Sequence, residues 1–312
     1  MDFTSFLGPL HELADCAICP RNCHSDRFGG KLGYCKSDAS FNISSICLHH
    51  GEEPVISGSG GICNVFFAHC NLQCIYCQNW QISDNRTDIR SFGMEIGDVI
   101  SQITSILDTG INRVGFVSPS HFIPQMKIII NIIRSLGYNP VWVYNTNSYD
   151  KPGIIRSLEG MIDVYLPDFK YMDSHLSASY SDAPDYPDIA IAALKEIYRQ
   201  KGSSLHLSSE GYAESGIIIR QLVLPGHAMN SIRVLECIAE ELSPSIHISL
   251  MSQYYPTPAV SCHKFLKNPV TSYEYSKVIR EMERLEMTNG WIQDLESSGN
   301  YRPDFNKYYP FE

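Results

Sequence analysis

Three cysteines on one short stretch, Cys70-Asn-Leu-Gln-Cys74-Ile-Tyr-Cys77, follow directly on the apolar run Ile62 to Ala68. Thiolates at C-x3-C-x2-C can each hold one iron of a four-iron cube and leave the fourth iron open for chemistry. A structural zinc site closes its shell with four ligands, and a disulfide framework pairs its cysteines evenly in a small secreted chain. The spacing therefore favours an iron-sulfur cluster. A second set, Cys16, Cys19, Cys23 and Cys35, is spaced C-x2-C-x3-C-x11-C. Four thiols suffice for a closed tetrahedral zinc or for a second cluster, and spacing does not decide between them. Either would brace a region with few apolar residues of its own. Between the two sets lies His49-His50-Gly51-Glu52-Glu53-Pro54, then the glycine-rich 57–61. It reads as a turn-rich linker, or as imidazoles and carboxylates at the mouth of a site. Cys47, Cys63, Cys237 and Cys262 lack partners at ligand spacing and read as ordinary small residues.

The elements that must carry these groups alternate from residue 61 onward. Ile62 to Ala68, Ile111 to Val117, Val141 to Tyr144, Met161 to Leu166, Ile217 to Leu224 and Ile246 to Met251 are short, nearly continuous apolar runs. Parallel strands covered on both faces have that character. Between them, apolar residues recur at helical spacing: Ile96 to Leu107 before Gly110, Met126 to Leu136 before Gly137, Ala190 to Ile197 before Gly202, and Ile232 to Leu242. Thr271 and Glu274 open a last helix with a capping box. Six strands alternating with helices describe a βα barrel or an open doubly wound sheet. Both gather functional groups at the C-terminal strand ends. Those ends are polar here: Cys70–Cys77, Ser118-Pro-Ser-His121, Asn145-Thr-Asn147, Asp168-Phe-Lys170, Pro225-Gly-His227 and Ser252-Gln-Tyr254. The expected organisation is a cysteine-rich region over 1–60, the α/β barrel over 61–290 and a tail over 291–312 that straps the barrel or frays.

With 312 residues the chain can bury a large core without extra staples. A net charge of -10 argues against a general nucleic-acid or anionic-membrane surface. Eleven cysteines without a basic, apolar leader at Met1-Asp-Phe-Thr-Ser-Phe indicate a reducing cytoplasm, and no apolar run approaches bilayer length.

Single residues at the strand ends carry their own expectations. Asp168 and Lys170 are either site residues or an ion pair tying strand to loop. His121 and His227 either touch a ligand or bond a backbone carbonyl. Arg220 sits inside an apolar strand and must meet a carboxylate, of a ligand or of a side chain. Gln253 and Tyr254 either contact substrate or pack the rim.

Taken together, Cys70, Cys74, Tyr76 and Cys77 match the C-x3-C-x-aromatic-C signature, and the chain resembles the radical S-adenosylmethionine (SAM) enzymes, in the branch of the pyruvate formate-lyase activating enzymes. The similarity extends along the chain through Cys16-x2-Cys19-Pro-Arg-x-Cys23, His50-Gly-Glu-Glu-Pro54, Cys77-Gln-Asn-Trp80, Pro119-Ser-His121, Tyr144-Asn-Thr146, Asp163 to Tyr171, Leu222 to Gly226 and Leu250 to Tyr254. It implies a partial (β/α)6 barrel. It implies that Cys70, Cys74 and Cys77 hold a 4Fe-4S cluster whose open iron takes the amino and carboxylate groups of SAM. Tyr76 would lie near the adenine, and Asp168 and Lys170 near SAM. The expected SAM-side set also includes Ser118, Ser120, Asn145, Thr146, Arg220 and His227, with His121 beside Asp168 and Lys170 as a catalytic candidate. Two positions depart from the family: Ser118-Pro-Ser120 replaces a usual Gly-Gly-Glu turn, and His69 replaces a small residue.

The function so implied is reductive cleavage of SAM to a 5′-deoxyadenosyl radical that takes hydrogen from a peptide or protein, a glycyl residue of a partner enzyme being one candidate. A reductant such as flavodoxin or ferredoxin would supply the electron. The rivals are modification of another peptide side chain or a small metabolite, and a non-catalytic iron-sulfur electron carrier.

Overall fold

The structure is a computed structural model and describes residues 2–295, 297, 302–307 and 309–311. The expected tail over 291–312 therefore lies partly outside the described residues. Ten strands form one sheet: β1 (Phe41–His49), β2 (Ile62–Phe67), β3 (Gly93–Met94), β4 (Arg113–Val117), β5 (Val141–Thr146), β6 (Val164–Pro167), β7 (His206–Leu207), β8 (Ala213–Leu222), β9 (His247–Met251) and β10 (Gly290–Ile292). Their order is β10-β9-β8-β6-β5-β4-β2-β1-β3, with β7 beside β8. From β2 through β10 the neighbours on this path are parallel, whereas β1 runs antiparallel to β2 and to β3. The path does not close on itself, as in a partial barrel.

Nine helices flank these strands among the described residues: α1 (Pro54–Ser57), α2 (Trp80–Ser83), α3 (Ile96–Leu107), α4 (Ile123–Ser135), α5 (Pro152–Arg156), α6 (Ser174–Ser181), α7 (Tyr186–Lys201), α8 (Ala228–Glu241) and α9 (Ser272–Arg284). All six expected parallel strands and all five expected helices are present. Every residue of β2 is buried, as its largely apolar run requires, and the one polar residue, Asn64, is buried with a partner in Glu52. Val99, Ile100, Ile103 and Leu107 of α3 face the core, and Ala190, Ala193, Leu194 and Ile197 of α7 do the same. The main core stacks Phe67 on Phe116 and Phe116 on Trp142 along the strands. Thr271 accepts from the Glu274 N–H while Glu274 bonds back to the Thr271 backbone, completing the capping box of α9.

Four strands, β1, β3, β7 and β10, were not anticipated. β1 lies before residue 60, inside the stretch expected to be cysteine-rich, and pairs along most of β2. β10 adds a further parallel strand beyond β9, and Gly290 permits it. A Cβ there, at φ +115°, would stand 2.0 Å from the Ile248 carbonyl oxygen. Three residues of β10 and two of β7 are too short for periodicity to register. From the far end of the chain, Phe305 and Phe311 pack on Phe66 with ring centroids 5.3 and 5.6 Å away.

Candidate active site

The cysteine loop leaves β2 through His69, whose backbone is left-handed at φ +62°. A side chain in that conformation is strained unless its surroundings hold it. Here the imidazole is held at both nitrogens, Nδ1 lying 2.9 Å from the Cys35 carbonyl and Nε2 2.9 Å from Thr87 Oγ1. The expected position of a small residue is thus occupied by a strut between the two cysteine sets. Asn85 adds a second strut, donating to the carbonyls of Tyr34 and Cys70. Arg21 adds a third, from Nε to the Asn71 carbonyl.

Beyond His69, Cys70, Cys74 and Cys77 line a cavity of about 210 Å³ together with Tyr76, Ser118, Asn145, Thr146, Asn147, Asp168, Lys170 and Arg220. Cys70 Sγ receives the Leu72 N–H and Asn147 Nδ2, each at 3.4 Å, and Cys74 Sγ receives Ser181 Oγ at 2.9 Å. Burial pushes the Cys70 thiol up to about 12 and the Cys74 thiol to about 11, so these sulfurs carry protons until a metal displaces them. Lys170 Nζ is 2.5 Å from Asp168 Oδ2. Burial works to discharge the lysine, but Asp168 and then Cys74 hold its ammonium well above the usual range. Tyr76 is buried, its hydroxyl 2.6 Å from that of Tyr171.

Ser118 has φ +55°, the conformation that glycine takes without strain, which gives a physical reason for glycine at this turn in the resembled family. Ser120 lies just behind the cavity, 3.2 Å from Thr146 Oγ1. Thr146 in turn bonds Asp150, a fully enclosed carboxyl that also accepts from Tyr144 and whose affinity for its proton burial raises. Asp150 was missed because it lies four residues past the strand end, outside the polar runs examined.

Two expected site residues are elsewhere. His121 is completely buried with Nε2 3.1 Å from the Ala68 carbonyl, and burial holds its imidazole down to about 3. It braces the end of β2 and does not line the cavity. His227 meets the Tyr180 hydroxyl at 2.8 Å, also outside the cavity lining. His121 follows the backbone-carbonyl alternative, whereas His227 bonds a side-chain hydroxyl. Gln253 lines the cavity, whereas the Tyr254 hydroxyl is spent on the Leu266 carbonyl. Arg220 finds side-chain carboxylates, with Nε 2.8 Å from Glu53 and its terminal nitrogen on both Glu53 and Glu52.

Cys16, Cys19 and Cys35 are buried and Cys23 is half-buried. Burial pushes the Cys19 thiol up to about 12, with Cys35, Cys16 and Cys23 all close enough to add to the rise. Beside them Arg27, only 1% exposed, donates to Cys16 Sγ at 3.6 Å and to the carbonyls of Ser37, Asp38 and His121. No carboxylate pairs with it among the described residues. A buried guanidinium without an anion is costly, so the arrangement suits thiolates rather than neutral thiols. Among the described residues no three His, Cys, Asp or Glu side chains are grouped as ligands of one ion.

Comparison with solved structures aligns the chain with HydG, a maturase of the FeFe-hydrogenase, at a TM-score of 0.51 and 11% identity over 75% of this chain and 53% of that one. The two share a fold, here a partial α/β barrel. The chain spans about half of HydG. A domain of pyruvate-formate lyase-activating enzyme from Bacteroides vulgatus aligns at a TM-score of 0.39 and 14% identity, over 55% of this chain and 93% of that one, too weakly to carry an argument. An uncharacterised protein of Methanocaldococcus jannaschii is 26% identical over 281 residues, 88% of this chain and 75% of its own length. No family model matches the chain. No described helix is long and apolar enough to cross a membrane.

Proposed function

We propose that the protein is a radical SAM enzyme that takes hydrogen from a peptide or protein substrate. The observation that carries this reading is one cavity at parallel strand ends, lined at once by Cys70, Cys74 and Cys77 and by Asp168, Lys170, Asn145 and Thr146. Cys70, Cys74 and Cys77 would hold a 4Fe-4S cluster, and with SAM in the same cavity it would supply the one-electron chemistry for hydrogen abstraction. The chain's own residues position and enclose. N–H and O–H donors on Cys70 and Cys74 sulfurs stabilise thiolate charge and tune a cluster's potential. Lys170 keeps a cation beside Cys74, while Asp168 and Asn145 offer acceptors to ligand hydroxyl and ammonium groups. Tyr76, Leu72, Leu222 and Met251 wall the cavity against water. Flavodoxin or ferredoxin would be the electron donor, in the cytoplasm, and a glycyl residue of a partner enzyme is one target. Cys16, Cys19, Cys23 and Cys35 hold a second metal centre in this reading. In this reading the second centre is a cluster, and the buried Arg27 beside Cys16 stabilises its thiolate charge.

Anaerobic reduction of reconstituted protein with SAM should release 5′-deoxyadenosine and methionine, and full cluster content without release would refute the catalytic reading in favour of an electron carrier. Cys74→Ala should abolish release. In Cys19→Ala, loss of iron with the Cys70–Cys77 cluster retained is expected; loss of zinc instead would overturn the second-cluster assignment.

A further inference from the structure

The cavity at the cysteine loop opens into a larger one of about 450 Å³, with Gln78, Asn79, Asn145, Arg220 and Gln253 lining both. Its lining is mixed, with Phe66, Trp291, Ile292 and Phe311 forming an apolar side among polar groups such as Gln78, Asn79 and Gln293. Its polar end is built from His49 at the end of β1 and from Glu52 and Glu53 in the turn that follows, facing Arg220 of β8. All four are at least nine-tenths buried as side chains.

The charges at that end do not balance. One guanidinium faces two carboxylates, and no other cation pairs with either among the described residues. Glu53 accepts from Arg220 Nε at 2.8 Å and from its terminal nitrogen at 2.5 Å, and Glu52 accepts from Arg220 and from Asn64 Nδ2 at 2.7 Å. A carboxylate has about four acceptor positions, so each keeps capacity for another donor. Burial works against the charge on Glu52, but Arg220 holds its carboxyl below the usual range. His49 Nε2 is 3.8 Å from Glu52, burial favours the neutral imidazole, and its Nδ1 has no partner among the described residues. An enclosed excess of negative charge beside an unpartnered imidazole nitrogen is a costly arrangement to leave empty.

We propose that this inner cavity receives a positively charged nitrogen of the substrate, a primary ammonium or a guanidinium on an aliphatic chain. Glu52 and Glu53 accept from it, and Phe66, Trp291 and Phe311 enclose the chain. The inference rests on the radical SAM reading for its meaning, since the aliphatic carbons would then run toward the cysteine loop where hydrogen is taken. An anionic substrate is disfavoured by the same charges.

The test is anaerobic titration of iron-reconstituted protein, with and without saturating SAM, using Nα-acetyl-lysine amide and its neutral isostere Nα-acetyl-norleucine amide. The lysine amide should bind at least tenfold more tightly, with SAM present as well as absent, and Glu53→Gln should reduce the preference below twofold. Equal binding of the two amides overturns the proposal. So does a preference that vanishes once SAM is bound, which would make SAM's own cation the partner of these carboxylates, and so does a preference unchanged in folded Glu53→Gln. If that variant does not fold, Glu52→Gln replaces it, and the comparison in the unaltered protein already decides. Release of 5′-deoxyadenosine is followed in parallel: SAM cleavage without lysine preference sinks only the cavity proposal, and lysine preference without SAM cleavage sinks the radical reading.

Discussion

At the scale of single residues, close approach and burial set the outcomes. Gly115 of β4 leaves room for Asn64, and a Cβ there would stand 2.2 Å from Asn64 Oδ1. Gly115→Ala should push the Asn64 amide off Glu52 and overpack the sheet, costing about 1–3 kcal/mol in urea unfolding. His121 gives a pH signature. Its folded imidazole resists protonation down to about 3, while the unfolded one takes a proton near 6.5. The unfolded state therefore binds more protons between those values, and stability falls as pH drops through that window, by at most about 1.4 kcal/mol per pH unit from this group. His121→Gln should flatten that part of the pH dependence, and an unchanged slope would reject the assignment. Individual residues were the least legible level of the sequence. The three loop cysteines and the Asp168–Lys170 pair announced themselves by spacing. Asp150 and the carboxylate pair that meets Arg220 did not, because residues 167 and 168 positions apart in sequence meet only through the fold.

At the scale of elements, hydrophobic periodicity located the six parallel strands and the five long helices, since burial on both faces or along one stripe leaves a repeating mark. It missed β1, whose Ser44-Ser45 centre interrupts the apolar pattern, and it missed the short β3, β7 and β10. The capping box was legible as a local motif and is local in effect. Thr271→Ala should cost about 1 kcal/mol of stability. Because α9 packs against α8 and not on the cysteine loop, the variant should leave SAM cleavage unchanged, measured as 5′-deoxyadenosine release.

At the scale of the molecule, strand order could not be read from the sequence. A barrel and a doubly wound sheet share the same alternation, and only the linear order from β10 to β3 resolves them. The same order places the C-terminal ends of all the central strands around one cavity, which is why polar residues scattered over nearly two hundred positions of chain act together. The buried thiols add a global prediction: loading metal must displace their protons, so reconstitution should release protons and proceed more readily as pH rises, followed with a pH indicator against iron uptake. His69 carries the last consequence. Its ring touches the backbone of Cys35 while its own chain leads into Cys70, so the geometry of each thiol set is a boundary condition for the other. Partly reconstituted preparations should then sort into full and empty molecules rather than a continuum of half-filled ones, a bimodality that native mass spectrometry can count.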